Sequence, residues 1–235
     1  MQCELLYQPV STMARIRLDA GEQFLVEPGA MIGMSTNMDM KTGLAGNSQS
    51  TGILGKLASA AGRMLTGESF FQNTYMPQGG SGELLLAHTL PGDMVMMEVG
   101  DHGLKLQSTA FVASSTGVNI QAEFGGARSF FSGEGLFLIS ATAQRPGEQL
   151  LVGAFGGIQE VQCDGSMVID TGHLVAWDAN LTFNVKKAAG GWIASYLSGE
   201  GLVCQFNGQG RIWMQTRNPQ AYGTLVGSML PPRTN

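Results

Sequence analysis

The chain has 235 residues, with 13 Lys and Arg against 18 Asp and Glu, giving a formal net charge of −5. Charged residues make up only 13% and hydrophobic ones 43%, which suits one domain with a sizeable core and a surface of Ser, Thr, Asn, Gln and Gly, or one partly hidden in subunit contacts. The acidic balance and the absence of basic runs argue against nucleic-acid partners, and three cysteines without a CxxC pair argue against a disulfide framework.

The amino terminus, "MQCELLYQPVSTMARI", has no basic leader before an apolar core, and no apolar run reaches the length of a membrane-spanning helix. A cytoplasmic protein with buried or unreactive thiols is the expectation. "LDAGEQFLVEPG" then sets Gly21 and Glu22 before an apolar run. The same order returns in "LPGDMVMMEVG" with Asp93 and in "RPGEQLLVG" with Glu148. Glycine supplies positive φ in a tight turn and the carboxylate accepts main-chain N–H bonds, so each is read as a turn opening a strand.

"AMIGMSTNMDM" (30–40), "FVASSTGVNIQ" (111–121) and "LVAWDANLTFN" (174–184) form a second recurring element. The last two superpose without gaps, an apolar triplet followed by a polar turn and alternating residues, as in a half-buried strand. The third recurrence is the Gly-Glu pair of "LTGESFF", "SFFSGEGLF" and "SYLSGEGLV", where Gly67, Gly133 and Gly199 stand at equal intervals. Equal spacing predicts internal repeats, here over about 5–66, 67–132 and 133–222, followed by a fraying tail, 223–235. Turn signals between short β-branched and aromatic runs predict an all-β class: three related β units in a sandwich or prism-like domain covering 1–235.

The segment "GLAGNSQSTGILGKLASAAGRMLTGESFF" breaks this pattern. Ile53, Leu54, Leu57, Ala61, Met64 and Leu65 fall on one helical face opposite Lys56, Ser59 and Arg63, which predicts one short inserted helix. Its apolar face suits packing on the sheet of its own subunit; the alternative is a docking face for another subunit or a membrane surface, and two cations favour protein contact over the membrane.

Catalytic constellations are absent from the pattern. His88, His102 and His173 show no metal-ligand spacing, and there is no GxSxG elbow. "SQSTGILGKL" fails as a phosphate loop because Ser50 replaces its first Gly and Leu57 its hydroxyl. Glu68, Glu134 and Glu200 remain: on a pseudo-three-fold axis they would converge on a ligand or cation, and otherwise each bonds its own hairpin. No cofactor or metal is expected.

With these residues quoted, "PGEQLLV", "LTGESFF", "FFSGEGLF", "YLSGEGLV" and the Gly-rich "GILGKLASAAGRMLTGES" together resemble the bacterial domain-of-unknown-function family related to the mitochondrial biogenesis (altered inheritance of mitochondria) protein. The resemblance covers about 5–222. It implies a β-rich fold like that of the tryptophan RNA-binding attenuation protein, assembled into homo-oligomers, and carries no catalytic residues across. The mitochondrial relatives are associated with inner-membrane organisation, and this sequence shows no targeting segment that would carry that location over. The expectation is therefore a non-enzymatic structural or assembly protein. A ligand- or cation-binding module on the turn carboxylates, or a peripheral membrane scaffold, is the alternative.

Overall fold

The computed structural model describes residues 1–44, 71–123, 137–187 and 202–231. Its strands are β1 (Gln2–Leu6), β2 (Met13–Leu18), β3 (Phe24–Val26), β4 (Met31–Met34), β5 (Met38–Leu44), β6 (Phe71–Pro77), β7 (Gly82–Ala87), β8 (Met94–Glu98) and β9 (Leu104–Gln107). They continue as β10 (Phe111–Ser115), β11 (Val118–Glu123), β12 (Leu138–Ala143), β13 (Gln149–Gly153), β14 (Ile158–Asp170), β15 (Leu174–Asp178), β16 (Thr182–Lys187) and β17 (Leu202–Gln215). One helix, α1 (Pro219–Met229), follows. The protein is all-β, as the turn spacing predicts. The alternation is plain in β2, where Ala14, Ile16 and Leu18 are buried while Arg15 and Arg17 turn outward.

The strands form three sheets, in the orders β1-β2-β7-β4, β5-β6-β3-β10-β13-β8 and β11-β12-β9-β15-β17-β14, with β16 beside β17. One pairing scheme occurs three times within them. In β2–β7, the first, sixth and third strands form one triplet (β2-β7-β4), and the second, fifth and fourth form another (β3-β6-β5). In β8–β13 the triplets are β8-β13-β10 and β9-β12-β11. In the third group β14 and β17 each serve twice. Ile158–Val161 joins Ile212–Gln215 and β15, whereas Ser166–Asp170 joins Val203–Asn207 and β16. Between these halves Gly165 faces Gly208, both left-handed at φ 101° and 119°, where the paired strands pass from one triplet to the other.

The third strand of each group carries the same irregularity. Register shifts lie between Met31 and Gly33, Phe111 and Ala113, and Leu174 and Ala176, leaving Ile32, Val112 and Val175 as bulge residues. At one fixed distance beyond each bulge a cross-strand row begins: Met40–Tyr75–Phe24, Ile120–Ala141–Leu104 and Phe183–Phe206–Met167. The recurring scheme cuts the chain between sixth and first strands, so each Gly-Glu segment falls in the middle of a group.

Groups are joined edge to edge. β10 of the second pairs with β3 of the first, and β15 of the third pairs with β9 of the second. Where the chain passes between groups, turns stack through the main chain: Thr12 N donates to Gly92 O, Asp93 N to Gly156 O, and Thr216 N to Gly157 O. Gly92 must be glycine here, because a Cβ would lie 2.1 Å from Ala154 O. Three apolar clusters fill the sandwiches. In the last, Trp177 meets Phe183 and Phe206 edge-on at 5.3 and 5.5 Å.

The helix expected at Ile53–Leu65 lies outside the described residues. The tail assigned to 223–235 instead supplies much of α1. The Asn218 side chain accepts from Gln220 N and Ala221 N, and Pro219 occupies the first turn, a favourable helix start.

Candidate functional site

The three turn acids do the local work their motif implies, but they open non-equivalent strands. Glu22 accepts from Asp19 N and from the Met1 amino group, which hold its carboxyl below the usual range. Asp93 accepts from Met94 N at 2.9 Å, Thr12 Oγ1 at 2.7 Å and Gln8 Nε2 at 3.2 Å. Glu148 is ion-paired with Arg145 at 3.2 Å. They lead into β3, β8 and β13, the second, first and sixth strands of their groups.

Glu22 and Glu148 share an open groove of about 680 Å³, lined also by Gly21, Ser115, Thr116 and Gln149. Both carboxylates already have cationic partners, so the groove offers no free general base. Glu68, Glu134 and Glu200 fall in the segments joining β5 to β6, β11 to β12 and β16 to β17, outside the described residues. So do Ile53, Leu54, Leu57, Ala61, Met64 and Leu65.

Two of the three histidines are held by main-chain oxygens. The His88 ring bonds Leu90 O and Thr109 O, and the His173 ring bonds Gln215 O at 2.8 Å. Burial pushes the Cys3 thiol up to about 11 and Cys204 up to about 12, aided at Cys204 by Asp170, so these thiols are poor nucleophiles at neutral pH. Asp178 grips Arg211 with both oxygens, and the guanidinium lies 4.8 Å from the Trp213 ring centroid. Lys105 pairs with Glu123. Glu27, at the end of β3, has no side-chain partner among the described residues, and desolvation raises its carboxyl to about 8. No group of three His, Cys, Asp or Glu among the described residues is placed to hold a metal ion.

What does stand out is apolar. Every large hydrophobic side chain exposed among the described residues lies toward one end of the chain of groups. Tyr7, Val10, Ile32, Met34 and Met40 precede or belong to the first group; Val168, Tyr222, Leu225, Val226, Met229 and Leu230 belong to or follow the third. None belongs to the second. Ile32 is 56% exposed, whereas the bulge residues Val112 and Val175, flanked by strands on both sides, are 0% and 1% exposed. Sequence reading missed this because Ile32 and Val112 are chemically alike; only their neighbours differ. No helix among the described residues is long and apolar enough to cross a membrane.

Comparison with known proteins places the architecture among relatives. The chain is 32% identical over 226 residues to an uncharacterised protein of Streptococcus pyogenes serotype M6, covering 95% of this chain and 88% of the relative. Its fold matches the crystal structure of protein SPYM3_0169 from Streptococcus pyogenes with a TM-score of 0.78 at 28% identity, over 97% of this chain and 99% of that one. The family model described as mitochondrial biogenesis AIM24 matches residues 3–217, spanning the strands of all three groups. With a match of that extent, the chain belongs to the mitochondrial biogenesis AIM24 family.

Proposed function

We propose that the protein is a non-enzymatic structural or assembly protein that works as a homo-oligomer in the cytoplasm. One observation carries this reading: exposed large apolar residues are confined, among the described residues, to the two end groups and their extensions. Contiguous exposed apolar surface marks interaction sites in soluble proteins. The helix α1 fits the same picture. Tyr222, Leu225, Val226 and Met229 line one side, none of its residues is buried, and it carries no charge. The lack of cations disfavours a membrane surface and favours protein contact.

Three free cysteines suit a reducing compartment. The likeness to the tryptophan RNA-binding attenuation protein belongs to this proposal too, supported by sheets shared between neighbouring groups. RNA binding does not, given the net charge of −5. Light scattering at dilute concentration tests the reading. A mass that is a multiple of 24.8 kDa supports it, and a monomer overturns it.

A further inference from the structure

The two joins between groups have the same backbone but different side chains holding it. At the second join, the 3-10 turn Thr171–His173 that leads into β15 is held by neutral amides: Gln107 Nε2 donates to Thr171 O at 2.8 Å, and Gln215 Nε2 to Gly172 O at 2.9 Å. Ser108–Ala110 is the matching turn before β10. There Thr109 O, the counterpart of Gly172 O, faces His88 Nε2 at 2.8 Å. The counterpart of Gln107 is Glu27, because Phe24 and Leu104 begin matching strands in the same cross-strand row. Titratable side chains thus stand at the first join where amides stand at the second.

Glu27 shares its place with a second unmatched group. Leu138 faces Gln107, and its counterpart Gln72 faces Glu27, one step beyond the paired Val26 and Asn73. Leu138 lies in the last of the three apolar clusters, whereas Gln72 is 5% exposed and its Nε2 has no partner among the described residues. A buried N–H without an acceptor is costly. Protonated Glu27 answers both needs: one oxygen accepts from Gln72, and the O–H donates to Ser108 O, the counterpart of Thr171 O. A carboxylate has no hydrogen to give and would turn an oxygen toward that carbonyl. Desolvation keeps the proton on Glu27 up to about 8.

We infer that Glu27 is a proton-operated latch on the first join: as the acid it donates to Ser108 O and ties β3 to the turn before β10, and as the carboxylate it releases that tie. Of the described elements beside it, β6, β10 and the Ser108–Ala110 turn carry no charged residue, and Tyr75 of β6 is turned into the core with Phe24. Lys41 of β5, on the same face as Leu25 and Glu27, is paired with Asp39 at 3.8 Å. His88 is the other titratable group at this turn. Both of its ring nitrogens face carbonyl oxygens, Leu90 O and Thr109 O, so both bonds form only when each nitrogen carries a hydrogen.

The test follows amide hydrogen exchange in the full chain, corrected for the intrinsic rate, over the matching segments 108–115 and 171–178. Opening the latch admits water to Glu27, which then ionises near about pH 4.3, so each opening releases a proton between that value and about 8. Exchange over 108–115 is expected to quicken at least about tenfold from pH 5.5 to 7.5 and to level off near 8, while 171–178 stays nearly level. Glu27→Gln copies Gln107 and is expected to flatten the first profile without altering the second. Parallel profiles in the two segments overturn the latch. So does a slope over 108–115 that survives Glu27→Gln, which would belong to His88. His88→Gln leaves Glu27 in place and is expected to keep the slope; its loss there overturns the assignment to Glu27.

Discussion

Glu27 shows how one unpartnered side chain sets a pH response. An ordinary glutamate ionises near pH 4.3 when unfolded, whereas burial lifts this one to about 8 in the folded chain. Between those values the folded state holds a proton that the unfolded state has released. Stability is therefore highest below the unfolded value and falls as pH rises toward 8. Glu27→Gln is expected to remove this slope and to raise the melting temperature at pH 8, a gain of roughly 1–3 kcal/mol after discounting for residual solvent. Parallel melting curves for wild type and variant from pH 5 to 8 would refute that origin. Gly92 poses a steric test: Gly92→Ala drives a methyl group into Ala154 O and is expected to cost about 2–4 kcal/mol, as a close-packed clash does. Gly80→Ala, with open space around it, is the control and is expected to change stability by about 0.5 kcal/mol or less. Thermal melts of the pair separate the two.

At the level of strands and turns, much was legible in the sequence. The equally spaced Gly-Glu segments each fall, in chain order, between the fourth and fifth strands of a group. The ungapped superposition of 111–121 on 174–184 maps β10–β11 onto β15–β16, bulge included, because bulge position and alternation are written in apolar spacing. The Gly-acid turns looked like a further recurring element, yet Glu22, Asp93 and Glu148 open strands in three different positions. Gly followed by a carboxylate solves any tight turn, so it does not report where in a sandwich the turn lies. The helix α1 escaped notice because Gly223 and Gly227 weaken its propensity, although Asn218–Pro219 is a capping signal. The candidate acids and the Ile53–Leu65 face were legible only as pattern, and they fall outside the described residues. Packing gives a sharper test. Trp177→Ala removes the ring that Phe183 and Phe206 pack against, and is expected to cost about 3–5 kcal/mol in denaturant titration. A cost below about 1 kcal/mol would show that this cluster does not organise the third sandwich.

For the molecule as a whole, the three groups share a pairing scheme but not an environment. The middle one is covered on both flanks, so its third strand buries Val112 and Ala113 completely. Outer groups each keep one bare flank, and Ile32 there matches bulge positions that are inside the protein elsewhere. This is why composition alone gave a sparse-charge surface and could not say where the uncharged area lay. The same residue type is core or surface according to which strand follows it.

The unbroken strands β14 and β17 have a mechanical consequence. Because each runs through both triplets of the third group, one triplet cannot come apart without pulling on the other. Their amides are expected to exchange with deuterium as one cooperative unit, and separate exchange classes on the two sides of Gly165 would show that the triplets open independently.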